Sequence, residues 1–166
     1  MALVDALLPE FDREMTTTRK LIERVPQDKL DWKPHAKSFS LGSLATHVAN
    51  LPMWGEITLV KSELDPGAEP PASVPDSTAG LLAMFDARVA STRSALAGRT
   101  DAELAAPWTL KRGTETIFTM PKSAVWRFFV LNHIVHHRGQ LSVYLRLLDV
   151  PVPSMYGPSA DEAAPR

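Results

Sequence analysis

Apolar residues recur at three- and four-residue intervals through Leu3, Leu7, Leu8, Phe11, Met15, Leu21 and Ile22, while Asp12, Arg13, Glu14, Arg19 and Lys20 fill a polar side. That period marks an amphipathic helix, predicted to end near Val25 and Pro26. A polar connection follows over 27–40, carrying Trp32, Lys33, Pro34 and His35, with Ser38 or Ser40 as the N-cap of the next helix. The second helix is expected over 41–62. Pro52 lies inside it, removes a backbone hydrogen bond and predicts a bend one turn beyond His47.

The stretch 64–76 holds Pro66, Gly67, Pro70, Pro71 and Pro75 and reads as an extended connection between helices. Ser77 caps a third helix with the stripe Leu81, Leu82, Phe85, Val89 and Leu96, and Gly98 stops it. Thr100 and Glu103 have capping-box spacing for a short helical turn. Over 108–119 the pattern changes to β-branched and aromatic residues around Lys111, Arg112, Gly113 and Thr114, predicting a small hairpin or irregular loop peripheral to the core. The last long helix is predicted over 121–148, with Pro121 at its first position. Val150, Pro151, Val152 and Pro153 end it, and the tail around Tyr156 is expected to fold back before Ala163 to Arg166 fray. The fold class implied is all-α: one helical domain over 1–166 with a small insertion before the last helix.

Composition narrows the function. A hydrophobic share of 45% and a charged share of 22% describe an ordinary globular chain. The formal net charge is -1 with both signs interspersed, so no field is available to gather phosphates, and nucleic acid is not an expected partner. There is no cysteine, which removes disulfides, thiolate ligands and a cysteine nucleophile. No run reaches the roughly 18 apolar residues of a membrane span, and the first residues lack a secretory pattern, so no membrane is expected and the cytoplasm is the expected location.

Chemistry enters with the histidines. At about 100° per residue, His133 sits at the centre of the last helix's apolar stripe, with Trp126, Phe129, Val130, His137, Gln140, Tyr144 and Leu148 within about 60° of it. His133 and His137 stand one turn apart, a spacing that lets two rings converge on one ion. His136 lies on the shoulder of that stripe as a second choice or a hydrogen-bonding neighbour, and Arg138 on the far side. On the second helix His47 falls among Leu44, Leu51, Trp54 and Thr58, so a third imidazole faces the interior from another element. Each alone fits a hydrogen-bonded core position. Together they would leave several ring nitrogens unpaired, at roughly 1–3 kcal/mol each, whereas a shared metal uses all three lone pairs. His35, beside Pro34, reads as a surface residue.

The string His133-Ile134-Val135-His136-His137-Arg138-Gly139-Gln140-Leu141, followed by Tyr144-Leu145-Arg146, closely resembles the last-helix motif of the DinB-like four-helix-bundle superfamily. Trp32-Lys33-Pro34, the segment Leu44-Ala45-Thr46-His47 and the closing Tyr156-Gly157-Pro158-Ser159-Ala160-Asp161 are similar to it as well, and the likeness is weakest over 64–119. The resemblance implies an up-down-down-up four-helix bundle, frequent homodimers, and a divalent ion, zinc or nickel, on His47, His133 and His137. Gly139 would then mark a close approach of helices, Arg138, Gln140 and Tyr144 would be structural, and Gln140 could orient a ligand or bound water.

Three neutral imidazoles leave a coordination position open, as in catalytic sites. Metal-assisted hydrolysis wants a carboxylate base near the ion, and none accompanies either histidine segment; Glu56 projects away from His47 on the wheel. Thiol chemistry asks less, since the metal itself ionises the sulfur, and the resembling superfamily includes low-molecular-weight thiol transferases and thiol-dependent isomerases. The expectation is a metal-dependent thiol S-transferase or related detoxifying enzyme acting on a small-molecule substrate. A non-catalytic, stress-associated metal-binding bundle is the alternative, and a metal-dependent hydrolase the third reading. Trp54, Trp126, Phe129 and Tyr156 could line a substrate pocket or simply pack the core.

Overall fold

The computed structural model describes residues 2–68 and 72–162 and is mostly helical. α1 (Leu3–Ile22) buries Phe11, Met15, Leu21 and Ile22. The connection after it is pinned to the next helix, because Leu41 and Gly42 donate their N–H groups to the Trp32 and Leu30 carbonyls at 2.8 Å each. Ser40 is the cap, its hydroxyl accepting from the Ser43 N–H. α2 (Leu41–Asn50) and α3 (Pro52–Val60) form one path through Leu51, whose φ of -54° and ψ of -36° are helical. The bend expected at Pro52 is therefore a joint between two helices, and the buried Thr92 hydroxyl donates to the Pro52 carbonyl at 2.6 Å.

α4 (Thr78–Leu96) starts at Ser77 as expected, and Gly98 follows its end in the left-handed region, φ 76°. α5 (Asp101–Ala105) has the capping box of Thr100 and Glu103. α6 (Lys122–Val125), a six-residue π-helical segment (Trp126–Leu131) and α7 (Asn132–Leu147) run on from one another as the last long helix. The main core lies where α1, α2, α4 and this last helix meet, around Phe11, Leu44, Val48, Phe85, Trp126 and Ile134.

The all-α expectation needs correcting, because three strands form a sheet in the order β1-β2-β3. β2 (Pro107–Arg112) and β3 (Glu115–Pro121) are the expected hairpin, antiparallel, turning at Gly113 with φ 58°. β1 (Glu63–Leu64), inside the stretch read as a plain connection, pairs parallel to β2. The hairpin is not peripheral either. Trp108 is fully buried and packs with Leu64 and Val125 in a second apolar cluster. An indole of that size gains more from burial than the two-residue strand costs to order.

Three smaller expectations also change. Pro121 does not open the last helix; it ends β3 and precedes α6 in an extended conformation, with ψ 144°. Glu14 and Arg138, both read as facing away from the core, are buried against each other, Arg138 at 1% exposure. Gly139 is exposed with nothing near the place of a Cβ, while a Cβ on Gly55 would lie 2.7 Å from Thr92 and 2.8 Å from Trp126, so the close helix contact is there. Pro70, Pro71 and the fraying expected of Ala163 to Arg166 lie outside the described residues.

Candidate metal centre

His47 projects from α2 toward α7, which carries His133 and His137 one turn apart. The structure brings these three together, with one potential ligand atom from each lying within 4.8 Å of the others. The Nε2 atoms of His47 and His133 are 3.3 Å apart. Two nitrogens held tetrahedrally on an ion at about 2.0–2.1 Å would stand about 3.3–3.4 Å apart, so the His47 and His133 pair is already spaced to share a divalent metal, with His137 close by. The three rings meet at centroid distances of 5.1, 4.5 and 4.7 Å.

Partial burial makes the rings poor proton acceptors. Burial first, and then repulsion from His137 and His133, lowers the His47 pKa to about 4. Burial and the neighbouring His137 lower His133 to about 4, against a pull the other way from the Phe129 backbone. His137 is lowered by burial, an effect the Gln140 side chain opposes. At neutral pH all three rings are uncharged and offer lone pairs.

The groups behind the rings set which nitrogen is free. Gln140 Oε1 lies 2.7 Å from His137 Nδ1, where it accepts that N–H and leaves the Nε2 lone pair available. Gln140, expected to orient a ligand or bound water, thus contacts a candidate ligand directly. His133 Nδ1 is buried without a full hydrogen bond, and Phe129, one turn back, packs its ring 5.7 Å from the imidazole. His136 is exposed, 4.7 Å from the His137 ring, and outside the cluster. His35 is exposed. Among the described residues no carboxylate joins the cluster.

Open space adjoins the triad on two sides. Against His47 lies a cavity of about 330 Å³ that Trp54, Ile57 and Met53 help to wall. Against His137 lies a shallower depression with Lys37, Gln140 and Tyr144 in its wall. Phe39 borders both, its ring 6.3 Å from His47, and the Tyr144 hydroxyl donates to its carbonyl at 3.3 Å. Phe39 was not singled out in the sequence; it lies in the polar connection, whose docking on α2 carries no periodic signal. Ser43 and Asn50 also line the cavity, and their spacing from His47 and Trp54, four, three and four residues, is the helical period that betrays a shared face. Of the four aromatics considered, Trp54 lines the cavity, Phe129 packs between Trp54 and His133, Trp126 is core, and Tyr156 stacks over Arg138 instead.

Among the described residues no helix is long and apolar enough to cross a membrane. A curated relative, the uncharacterized protein YrdA of Bacillus subtilis strain 168, is 26% identical over 166 residues, covering 97% of this chain and 92% of its own length. A DinB-like protein from Bacillus cereus ATCC 10987 has a similar solved structure, with a TM-score of 0.68 at 21% identity over 92% of this chain and 97% of that one. The DinB-like protein YjoA of Bacillus subtilis also gives 0.68, at 17% identity over 91% and 99% of the two chains. A putative DinB family member from Exiguobacterium sibiricum 255-15 gives 0.61 at 20% identity over 90% and 94%. The model of the DinB family matches residues 2–166, and with the fold and the clustered histidines on that frame, this chain belongs to the DinB family.

Proposed function

We propose that this protein is a metal-dependent enzyme that joins a low-molecular-weight thiol to a small electrophile, with His47, His133 and His137 as the ligands of a zinc or nickel ion. The observation that carries the reading is the donor set itself: three neutral imidazoles converge, no described carboxylate accompanies them, and open space remains beside them. A closed structural site would use a fourth protein ligand. A divalent ion bound there supplies the positive charge that ionises a thiol at neutral pH. The residues do the rest: Gln140 holds the His137 tautomer, Phe129 packs on the His133 ring, and Phe39 with Trp54 gives the adjoining space an aromatic wall. In the overall reaction the sulfur–carbon bond forms as the carbon–leaving-group bond breaks, and the thiol proton departs with the leaving group.

With no carboxylate base beside the triad among the described residues, hydrolysis is disfavoured. With this reading go one domain folded as an up-down-down-up four-helix bundle, a homodimer, and a cytoplasmic setting where such thiols are plentiful. The test is metal analysis after tag-free purification, followed by assay. Near-stoichiometric zinc or nickel is expected, with large loss in His47→Ala, His133→Ala and His137→Ala. Conjugation of 1-chloro-2,4-dinitrobenzene to glutathione or bacillithiol should require the metal. Unchanged metal content in all three variants would remove the site, and no turnover across a broad thiol and electrophile panel would leave a non-catalytic metal-binding protein.

A further inference from the structure

The two spaces beside the triad differ in chemistry. Among the described residues, the cavity against His47 has no ionisable side chain in its wall other than that histidine. Its polar groups, Ser43, Thr46 and Asn50, come from α2, and the rest of its wall includes Met53, Trp54, Ile57, Leu64 and Val74. The depression against His137 is polar by contrast, with the Lys37 ammonium, Ser38, Gln140 and the Tyr144 hydroxyl. A charged ligand entering the first space would lose its hydration and meet no charged side chain in the described wall, which is costly; an ion on the triad would offset that cost only for an anion. An apolar one would release water from aromatic and aliphatic walls.

We infer that the cavity against His47 is the binding site for a neutral, largely apolar small molecule, and that the polar depression against His137 receives the more hydrophilic partner, an assignment that rests on the thiol-transfer reading of the triad. Phe39 borders both spaces and separates the two ligands until they meet over the histidines. The volume of about 330 Å³ is at the small end for ligand pockets and suits a single substituted aromatic ring.

The test is calorimetric titration of the purified, metal-containing protein with three probes of one size: methyl benzoate, benzenesulfonate and benzylammonium. Methyl benzoate should bind, and benzylammonium, which neither the wall nor the ion compensates, should bind about tenfold more weakly or worse; benzenesulfonate should bind about tenfold more weakly than methyl benzoate once the metal is removed by chelator. Ile57→Trp and Met53→Trp, which fill the cavity from two sides, should each weaken methyl benzoate about tenfold or more, with metal content and circular dichroism retained. Val143→Trp, in the wall of the other depression, should leave its affinity unchanged. Binding equal to that of methyl benzoate by benzylammonium, or by benzenesulfonate after metal removal, or methyl benzoate affinity unaltered in both filling variants, would overturn the assignment. Because no turnover is needed, the two readings fail separately. Selective methyl benzoate binding without conjugation removes the transferase and keeps the apolar site, and conjugation of charged electrophiles only does the reverse.

Discussion

A neutral imidazole has one lone pair, and the partner of its other nitrogen decides where that lone pair points. Gln140 Oε1 can only accept, so at 2.7 Å from His137 Nδ1 it selects the tautomer with Nε2 free. Gln140→Leu keeps the stem and loses the acceptor, and metal affinity should fall about 10–100-fold, read by competition with a chromogenic chelator. Affinity within twofold of wild type would show that the tautomer needs no such support. The same rings give the metal-free protein a pH dependence whose sign is fixed. His47 and His133 titrate at about 4 in the folded chain, below the ordinary value of 6.5. The unfolded chain therefore takes up protons first as pH falls, so the stability these two rings contribute is complete above 6.5 and is lost on the way down to about 4. Chelator-treated wild type should show a falling Tm across that window, and the His47→Asn/His133→Asn double variant a shallower fall; identical slopes would refute burial as the cause. The triad was legible in the sequence because spacing four on one helix and a stripe position on another are local facts. Phe39 was not, since only the tertiary docking of its loop brings it near His47.

At the scale of elements, the last helix is where periodicity alone misleads. A constant 100° per residue puts Trp126 on the stripe of His133, but the π-helical segment Trp126–Leu131 takes more residues per turn and breaks that phase. Trp126 points into the main core, 5.5 Å from Phe11, while Phe129 keeps the place beside His133 that the helical period already gave it. No residue in this stretch announces a π turn, and α3 approaches it so closely that a Cβ on Gly55 would lie 2.8 Å from the Trp126 ring. Gly55→Ala would push a methyl within 3 Å of Thr92 and Trp126 and should destabilise by about 1–3 kcal/mol in urea unfolding. Gly139→Ala meets open space inside a helix and should stabilise by about 0.5–1 kcal/mol. The reverse order would mean that the close contact lies at Gly139 after all. Caps and turns, by contrast, were readable: Ser77, Gly98, Thr100 with Glu103, and Gly113 all act where their local chemistry says they should. β1 was not readable, because two residues carry no period and its reason, the burial of Leu64 on Trp108, is non-local.

For the whole molecule the question is what holds the helix bearing two of the three histidines at a fixed rotation. The face of α7 away from the triad carries Arg138, which pairs with Glu14 on α1 at 2.7 Å and donates to the Glu14 carbonyl and the Thr18 hydroxyl at 3.1 Å each. The tail closes over this pair: Arg138 also donates to the Tyr156 hydroxyl, and that hydroxyl donates to Glu14 Oε2 at 2.8 Å. Farther along, Asp161 accepts from Val152 N–H and from Arg146, and Glu162 accepts from Ser154 N–H and Arg24. One guanidinium thus joins α1, α7 and the tail, and its hydrogen bonds are directional, so they add an angular restraint on α7 to that of the apolar packing. Arg138→Met would leave the Glu14 carboxylate buried without its partner, and the loss in urea unfolding should be about 3–5 kcal/mol. Replacing both, Arg138→Met with Glu14→Leu, removes the stranded charge and should recover much of that loss while still lacking the directional bonds. Stability and site geometry then separate: the double variant should fold, yet bind metal more weakly than wild type, because α7 is free to turn His133 and His137 away from His47. Full metal affinity in the refolded double variant would show that apolar packing alone sets the rotation of α7 and that the Arg138 network serves the tail.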